Sequence, residues 1–251
     1  MRAEATPAQP RTTAPPKPRA DWAYFVDLDG TLLDIAPTPA DVRLDAEVRT
    51  LLAELSDFAS GAVALISGRS ISDISALLTE PCLPVAGQHG LERRDALGRV
   101  TVHGGKPNGL QHAAKRLERE VEKHRGLLLE QKGLSVALHY RAVPELASHV
   151  HTLMRSLCAE LGHEYVLQEG KRVVELKPAG KDKGVAVLEF LEEPPFRGRT
   201  PVFLGDDATD EYAFAVVNEV NGYSIKVGPG ETVARWWLED VAAVRHWLGA
   251  R

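Results

Sequence analysis

The sequence predicts an α/β protein, built on a parallel sheet with helices on both faces and carrying a smaller inserted α+β domain. Apolar runs that end at glycine, proline or an acidic residue recur along the chain. Stretches with helical periodicity lie between several of them; in 45–58, Val48, Leu52 and Leu55 fall on one face. Strands that are apolar on both faces and alternate with helices are typical of a parallel sheet covered on both sides.

The strand candidates follow one another along the chain. In order they are AYFVDL, AVALISG, LPVAG, LSVALHY, RVVELKP, PVFLGDD and YSIKVG. Between Ser67 and Lys183 the chain is far longer than the roughly 10–12 residues that a crossover needs. That interval has its own helix-like stretches, 109–123 and 144–161, and its own strand candidates, LSVALHY and RVVELKP. We therefore expect an inserted domain within it.

The domain bounds follow from this spacing. We expect a sheet domain made of 21–102 and 177–251, with the inserted α+β domain at 103–176. Residues 1–20 are dominated by proline, alanine, threonine and charge, and they lack the apolar segment of a signal peptide, so we expect a disordered leader. The end of the chain, ARWWLEDVAAVRHWL, is interpreted as one amphipathic helix. Its tryptophans are the candidates for packing on the core: Trp236, Trp237 and Trp247.

Composition argues against several classes of function. The chain has 251 residues, of which 44% are hydrophobic and 26% charged, values typical of a globular protein with a core. Its net charge of −5 provides no basic surface, so no nucleic-acid partner is expected. No apolar run is long enough to span a membrane. Cys82 and Cys158 have no metal-ligand spacing, which fits a reducing compartment, and we expect a cytoplasmic monomer.

The stretch FVDLDGT places two carboxylates at the end of an apolar run. Residues i and i+2 of a strand point to the same side, so Asp27 and Asp29 can meet one ligand. Gly30 allows the chain to turn closely around that ligand, and we expect Gly30 and Thr31 to contact the substrate. Two neighbouring anions need a cation, and an all-oxygen set suits Mg²⁺. A solvated turn is the alternative, because Asp and Gly are common turn formers.

A second acidic stretch, GDDATDE, follows another strand candidate and precedes a helix. Acids at a helix N-terminus can simply cap it, but capping needs one acid and this stretch has three besides Glu211. Convergence with the first pair on a shared divalent ion explains the excess better. We expect Asp206 to bind the metal directly, and Asp207 and Asp210 to support it from behind.

The stretch ISGRSISD leads from a strand candidate into a helix. Ser70 and Asp73 match a capping box, which is the structural alternative for this motif. A helix N-terminus preceded by a hydroxyl and a small residue also cradles phosphate through its free N–H groups. We therefore expect Ser67 to take part in catalysis and Gly68 and Arg69 to contact the substrate.

Lysines precede the next helix, in KPAGKDKG. A lysine run is usually a solvated face. A phosphoryl group surrounded by several carboxylates nonetheless needs a compact cation to offset its charge. Lys183, next to Gly184 at the predicted helix start, is the best placed of them.

Together these groups indicate phosphoryl transfer through a nucleophilic carboxylate. Asp27 would attack phosphorus and form an aspartyl phosphate. Asp29 would protonate the leaving oxygen and then deprotonate the water that hydrolyses the intermediate. Mg²⁺, Ser67 and Lys183 would neutralise and orient the phosphoryl oxygens. The sequence has no Walker-type phosphate loop, so nucleotide binding has no support.

In that order, DLDGT, the serine of ISGR, Lys183 and GDDATDE resemble the four motifs of the haloacid dehalogenase superfamily of phosphatases. The long insertion after the second motif then resembles the C2-type cap of that superfamily. More specific strings resemble trehalose-6-phosphate phosphatases, over about 25–227: AGQHGLERRD, LEQKGLSVALHYR and EGKRVVELKPAGKDKG. The resemblance implies a Mg²⁺-dependent hydrolase of trehalose 6-phosphate. One departure is Asp182, where many members have asparagine.

The resemblance also implies that Glu130, Lys132, Arg141 and Glu169 hold the distal glucose. Carboxylates and cations suit a disaccharide because they form charge-assisted hydrogen bonds with its hydroxyls. His89, in GQHG, is expected to line the domain junction and contact the substrate. Ordinary surface charges are the alternative for the cap residues. The rival functions are a phosphatase of sucrose phosphate or a mannosyl phosphate, and a non-catalytic sugar-phosphate sensor.

Overall fold

The computed structural model of the chain describes residues 14–36, 41–103 and 107–251. In chain order, the helices and strands are β1 (Trp22–Val26), α1 (Ala46–Phe58), β2 (Val63–Ile66), α2 (Ile71–Leu77), β3 (Val85–Gly87), β4 (Glu92–Arg94), β5 (Val100–Val102), α3 (Pro107–Lys123), β6 (Leu128–Gln131), β7 (Val136–His139), α4 (Ala147–Leu161), β8 (Tyr165–Gly170), β9 (Val173–Pro178), α5 (Lys183–Leu191), β10 (Thr200–Gly205), α6 (Glu211–Glu219), β11 (Tyr223–Val227), β12 (Trp236–Leu238) and α7 (Val241–Gly249).

Eight strands form the main sheet, in the order β12-β11-β10-β1-β2-β3-β4-β5. The strands from β12 to β3 run parallel, and β4 and β5 extend the sheet antiparallel. β1 lies between β10 and β2, and each of its residues is buried. A strand in that position has to be apolar on both faces, which is why its sequence shows no polar alternation. The predicted parallel sheet is confirmed.

Helices cover both faces of this sheet. The chain moves from β1 through α1 to β2 on one side, and from β10 through α6 to β11 on the other. Because such crossovers are right-handed, α1 and α6 lie on opposite faces. α5 packs beside α6 and against β1, where the rings of Phe190 on α5 and Phe25 on β1 lie 6.0 Å apart. α7 packs on α1. No helix within the described ranges is both long and apolar enough to cross a membrane.

A second, antiparallel sheet lies in the segment that the sequence predicts as an insertion, with the order β6-β7-β9-β8. α3 and α4 cover one of its faces, and a separate hydrophobic core joins Leu117 and Val150 to Leu138 and Val174. This unit, from α3 to β9, is called the cap below. β9 ends at Pro178, so the boundary expected at 176 falls inside a strand, and the exact division into domains stays a prediction.

The aromatic-rich end of the chain is not one helix. Trp236 and Trp237 belong to β12, which pairs with β11, and Trp247 lies on α7. Asp240 separates the two elements, because its Oδ1 accepts a hydrogen bond from the N–H of Ala243 at 2.8 Å and so begins α7. The prediction of a single amphipathic helix is therefore wrong.

Residues 1–13 of the leader expected at 1–20 lie outside the part of the chain that the structure describes. Residues 14–20 lie against the sheet domain. Trp247 donates from its indole nitrogen to the carbonyl of Pro16 at 3.0 Å, and the hydroxyl of Tyr24 donates to the carbonyl of Arg19 at 2.8 Å. The packed chain therefore begins before residue 21, because aromatic donors of the fold bind carbonyls of the proline-rich segment.

Candidate active site

The carboxyl ends of β1, β2 and β10 meet at one edge of the main sheet, where ligands of parallel α/β sheets bind. Asp27, Ser67 and Asp206 directly follow these strands. A cavity of about 210 Å³ opens between this edge and the cap. The predicted site residues that line it are Asp27, Asp29, Ser67, Gly68, Arg69, His89, Glu130, Lys132, Arg141, Lys183 and Asp207.

Lys183 joins the first and last acidic stretches. Its ammonium donates to Oδ1 of Asp27 at 2.7 Å and to Oδ1 of Asp210 at 2.6 Å, and all three side chains are buried. Lys183 is held at the start of α5 by Asp182, whose side chain accepts from the N–H of Val185. Burial alone would lower the pKa of Lys183, but the carboxylates of Asp210 and Asp27 outweigh it and raise the pKa. Lys183 is therefore a cation beside Asp27.

Asp27, Asp206 and Asp210 bring carboxylate oxygens within 4.8 Å of one another. Burial raises the pKa of Asp27 well above its usual value; the charges of Asp210 and Asp206 add to the rise, while Lys183 opposes it. Lys183 contacts Asp27 and Asp210, and Lys171 contacts Asp206, so three carboxylates share two contacting ammonium groups in this buried place. Carboxylate oxygens are the ligands that Mg²⁺ prefers, so this donor set fits the predicted metal.

Gly30 and Thr31 lie against Asp206, and neither lines the cavity that the described residues form. Gly30 has a φ of 92°, and a Cβ there would lie 2.3 Å from Oδ2 of Asp206. Thr31 is buried, with its hydroxyl 3.4 Å from Oδ1 of Asp206. Glycine is required at position 30 for both its left-handed backbone and this close approach. Both residues contact Asp206, and their contact with the substrate stays a prediction.

Asp207 and Asp210 form a capping box at the turn before α6. Oδ2 of Asp210 accepts from the backbone N–H groups of Asp206 and Asp207, at 3.0 and 2.9 Å. Asp210 therefore caps the turn and also contacts Lys183 through its other oxygen. It belongs to the group of three carboxylates, whereas Asp207 lines the cavity outside that group.

Asp29 does not join the carboxylate group. β1 ends at Val26, so the strand alternation that predicts a shared direction for Asp27 and Asp29 no longer applies. The Asp29 carboxylate instead forms a bidentate pair with Arg69, at 2.6 Å to Nε and 2.8 Å to Nη2. Two parallel bonds to a guanidinium fix both position and orientation. The structure thus holds Asp29 at the cavity wall and away from the position predicted for the metal.

Ser67 and Gly68 form the cavity wall between β2 and α2. The Ser67 hydroxyl is buried and accepts from the N–H of Arg69 at 3.2 Å. Ser70 caps α2, since its hydroxyl accepts from the N–H of Asp73 at 3.1 Å and donates to the carboxylate of Asp73 at 2.6 Å. Ser70 therefore caps α2 as predicted. The carboxylate of Asp73 binds the hydroxyl of Ser70, whereas in a capping box it would bind the backbone N–H of Ser70. Ser67 and Gly68 line the cavity, whereas the N–H of Ile71 at the start of α2 donates to Oε2 of Glu92 at 2.8 Å, so that donor is not free for a phosphate.

Glu175, on β9, is a buried cap carboxylate that the sequence analysis missed. It accepts from Lys132 at 3.0 Å and from the hydroxyl of Ser135 at 2.5 Å, and it lies 3.4 Å from Nε2 of His89. Burial alone would raise its pKa, but Lys132 and His89 hold the pKa well below the usual value. The available signal was a single acid inside the apolar run VVELKP, because acids are rarely buried without partners.

Two lysines connect the cap to the main sheet domain. Lys132 donates to the carbonyl of Gly68 at 3.2 Å, in addition to its pair with Glu175. Lys171, in the turn between β8 and β9, forms an ion pair with Asp206. Its charge offsets part of the negative excess at the buried carboxylates. Residues of the cap and of the sheet domain therefore contact each other beside the cavity.

His89 lies at the junction where the sequence predicts it. Burial lowers the pKa of His89 to about 4, although Glu175 opposes the shift. Gln88 and His89 have φ values of 46° and 56°, in the left-handed region. Nδ1 of His89 is buried without a hydrogen-bond partner among the described residues. The ring is thus neutral near pH 7 and is held against the cap by a strained turn.

Glu130 and Arg141 line the cavity from the cap, as the resemblance implies. Oε2 of Glu130 lies 2.8 Å from Nε2 of His139, another cavity residue. Although burial alone would raise the pKa of Glu130, His139 and Lys132 hold it below the usual value. An ionised Glu130 can therefore accept hydrogen bonds within the cavity.

Glu169 is not brought to the cavity. Its side chain is 58% exposed, and Oε1 lies 3.1 Å from Nδ1 of His151. Its neighbours on β8, Gln168 and Gly170, line the cavity, so strand alternation turns Glu169 to the opposite face. Of these two acids of the cap, Glu175 lines the cavity and Glu169 does not.

Solved structures share this architecture. The C-terminal domain of a C. albicans trehalose-6-phosphate phosphatase matches with a TM-score of 0.82 at 23% identity, over 90% of each chain. A trehalose-6-phosphate phosphatase related protein matches with a TM-score of 0.73 at 28% identity, over 90% of this chain and 95% of that one. A haloalkanoate dehalogenase superfamily phosphatase from Bacteroides thetaiotaomicron matches at 0.62 and 14% identity, over 96% and 100%. The chain therefore has the fold of the capped phosphatases of the haloalkanoate superfamily.

Sequence comparison narrows this class to a family. The trehalose-phosphatase family model matches residues 25–241. The chain is 43% identical over 238 residues to a trehalose-6-phosphate phosphatase of Escherichia coli K12, covering 94% of this chain and 88% of the relative. It is 40% identical over 209 residues to a probable trehalose-phosphate phosphatase of Sinorhizobium fredii, covering 83% and 78%. The chain belongs to the trehalose-phosphatase family and is a phosphatase, which confirms the predicted resemblance.

Proposed function

We propose that this enzyme hydrolyses trehalose 6-phosphate to trehalose and phosphate through a phosphorylated Asp27. The observation that carries the proposal is the carboxylate of Asp27, held 2.7 Å from the ammonium of Lys183 in the cavity beneath the cap. The similarity to trehalose-6-phosphate phosphatases over most of the chain supports the choice of substrate.

Asp27 is the nucleophile. Its Oδ1 is bonded to Lys183, which leaves the second oxygen to attack phosphorus. As the bond from Asp27 to phosphorus forms, the bond from phosphorus to the sugar oxygen breaks. Water then attacks phosphorus and releases inorganic phosphate, restoring the Asp27 carboxylate. Lys183 opposes the rise in the pKa of Asp27 and fixes the direction of the attacking carboxylate, which lowers the entropic part of the barrier.

Asp29 carries the protons. It gives one to the leaving sugar oxygen in the first step and takes one from the attacking water in the second. Arg69 holds it at the cavity wall by two bonds. Before it can protonate the leaving oxygen, Asp29 must therefore take up a proton from solvent and exchange one of its bonds to Arg69 for a bond to the substrate. Arg69 therefore holds Asp29 in place until the substrate replaces one of these two bonds.

Ser67, Lys183 and Arg69 surround the place where the phosphoryl group would lie. All three line the cavity, and each offers a donor to a phosphoryl oxygen. Charge-assisted donors of this kind stabilise the transferring group most where water is excluded. The buried ends of β1 and β2 provide that exclusion.

Asp27, Asp206 and Asp210 are the residues that would hold Mg²⁺. The convergence of their carboxylate oxygens within 4.8 Å of one another supports this assignment. When bound, Mg²⁺ would neutralise charge on the transferring phosphoryl group. Gly30 and Thr31 support Asp206 from behind, and Lys171 would have to leave its ion pair with Asp206 as the metal enters.

The cap would hold the sugar through Glu130, Lys132 and Glu175, with Arg141 at the cavity margin. The partners of Glu130 and Glu175 keep both carboxylates ionised, so these would accept hydrogen bonds from sugar hydroxyls. Lys132 would donate hydrogen bonds to sugar hydroxyls. Glu169 has no part in this arrangement, because it faces away from the cavity.

Phosphate release from a panel of sugar phosphates tests the proposal. With Mg²⁺, we expect kcat/KM for trehalose 6-phosphate to exceed that for sucrose phosphate, mannosyl phosphates and glucose 6-phosphate by at least about 100-fold, because unmatched hydroxyls would leave buried charges unpaired. Faster hydrolysis of another sugar phosphate would contradict the substrate assignment. Binding of trehalose 6-phosphate without phosphate release would indicate a sensor.

A further inference from the structure

A cluster of metal-ligating side chains lies on the cap, away from the cavity. Glu120 lies in the last turn of α3, His124 directly follows that helix and donates from its backbone N–H to the carbonyl of Glu120, and His149 lies in the first turn of α4. Nε2 of His124 is 3.1 Å and Nε2 of His149 is 2.9 Å from the same oxygen, Oε1 of Glu120. Two imidazoles from two helices therefore converge on one carboxylate.

The spacing of these atoms is that of a metal's ligand set. One ligand atom from each residue lies within 4.8 Å of the other two. A tetrahedral Zn²⁺ with bonds of about 2.0–2.1 Å places neighbouring ligand atoms roughly 3.3 Å apart. The two measured nitrogen-to-oxygen distances fall close to that edge length, and the imidazole rings are 5.0 Å apart between centroids with a tilt of 54°. Two imidazoles and one carboxylate are therefore near enough to one another to share one ion.

The cluster differs in chemistry from the carboxylates at the active site. Two imidazoles and one carboxylate suit Zn²⁺ and similar transition metals, whereas Mg²⁺ prefers oxygen ligands alone. The Glu120 side chain is 13% exposed, and those of His124 and His149 are 33% and 44% exposed, which leaves an open side for water as a fourth ligand. Lys123, 3.4 Å from Oε2 of Glu120, is the competing cation, but it contacts the other carboxylate oxygen.

The position of the cluster gives it a structural role. α3 and α4 pack on the face of the cap sheet that carries Leu138 and Val174, whereas Glu130 and Glu175 face the cavity. We propose that Glu120, His124 and His149 bind a transition-metal ion such as Zn²⁺, which ties α3 to α4 and stiffens the cap. The site is separate from the phosphatase site and does not depend on the proposed substrate.

Cobalt titration tests this site on the full chain. Metal-free protein is first given excess Mg²⁺ to fill the carboxylate group, and Co²⁺ is then added, since Co²⁺ with nitrogen ligands and low coordination number absorbs visible light strongly. We expect a saturable absorption with one equivalent of Co²⁺, removed by one equivalent of Zn²⁺. His124→Ala and His149→Ala should each weaken binding more than the roughly 10–100-fold that loss of a supporting group costs. His112→Ala, an exposed histidine also on α3, is the matched control and should bind normally.

A second measurement separates binding from misfolding. Zn²⁺ should raise the thermal unfolding midpoint of the wild type and of His112→Ala, but not that of His124→Ala or His149→Ala. All variants should keep Mg²⁺-dependent phosphatase activity, which shows that they fold. Absence of the absorption in the wild type would overturn the proposal. Equal Co²⁺ binding by the wild type and both cluster variants would overturn it too, because the metal would then be held elsewhere.

Discussion

Glu175 shows how a single buried charge links the two halves of the site. It is surrounded by Lys132 and Ser135 from the cap and by His89 from the sheet domain, so its carboxylate is paired although it is almost fully buried. A buried charge of this kind is costly unless its partners are complete. Its location therefore points to a function for which the cost is tolerated, and sugar binding in the cavity is the proposed one.

Replacing this acid tests the sugar site at the residue scale. Glu175→Gln should lower kcat/KM for trehalose 6-phosphate by roughly 10–100-fold, because a charge-assisted hydrogen bond contributes about 1.5–3 kcal/mol. Glu169→Gln, on the same pair of strands but facing away, is the matched control and should stay within about twofold. If Glu169→Gln caused the larger loss, the placement of the sugar would be wrong.

His89 predicts a pH dependence of stability. Its pKa of about 4 lies below the value of 6.5 expected for the unfolded chain, so the unfolded state binds more protons between these values. Stability is therefore fully present above about pH 6.5 and falls as the pH drops towards 4, by about 3 kcal/mol in total for this residue.

Urea unfolding of the wild type and His89→Asn at pH 7.5 and 4.5 measures that dependence. Asparagine tolerates the left-handed backbone at this position and does not titrate. Between the two pH values, the wild type should lose roughly 2–3 kcal/mol more than the variant. Equal losses would show that the histidine is not buried as a neutral ring.

At the scale of elements, the sequence predicts more of the strands than of the turns that follow them. Apolar runs alone predict the buried parallel strands that Asp27 and Asp206 directly follow. The direction of Asp29 does not, because it depends on where β1 stops and on an arginine 40 residues away. The side of β8 on which Glu169 lies depends on strand register, which a single sequence leaves undetermined. Periodicity also missed the cap at Asp240 that separates β12 from α7.

The turn after β1 has a glycine whose replacement tests the support of Asp206. Alanine at Gly30 would strain a backbone with a φ of 92° and would place a Cβ 2.3 Å from the Asp206 carboxylate. Gly98 is the matched control, since its φ is 80° and its Cβ position is open. Gly98→Ala should cost about 1–2 kcal/mol of stability by backbone strain alone.

Gly30→Ala should cost more stability than that and should also raise the Mg²⁺ concentration needed for half-maximal turnover, because it displaces a proposed ligand. Chemical unfolding and Mg²⁺ titrations of turnover measure the two effects. Similar behaviour of the two alanine variants in both measurements would remove the proposed role of the Gly30 turn.

At the scale of the whole molecule, neither unit holds a complete site. The sheet domain carries the proposed reacting groups, and the cap carries Glu130, Lys132 and Glu175. Long chain spacing predicts that an insertion exists, but its seat on the sheet rests on contacts such as Lys132 with Gly68, 64 residues apart. Such contacts form only after both units have folded, so the sequence alone does not predict them.

The two-unit site predicts movement of the cap, since closing the cap over a bound disaccharide phosphate would exclude water from the cavity. Small-angle scattering should show a smaller radius of gyration with trehalose, Mg²⁺ and beryllium fluoride than without ligands. Asp27→Asn is the control, because it lacks the carboxylate that would hold the fluoride adduct and should stay open. Identical scattering of the wild type with and without these ligands would count against closure.

Trapping of the phosphorylated enzyme tests the central claim most directly. Reaction with trehalose 6-phosphate and Mg²⁺ is stopped with acid, the acyl phosphate is reduced with borohydride, and peptide masses locate the modified residue. The modification should fall on Asp27, and Asp27→Asn should show neither modification nor turnover, a loss of roughly 10³-fold or more. Modification of another residue, or turnover in Asp27→Asn comparable to that of the wild type, would contradict Asp27 as the nucleophile.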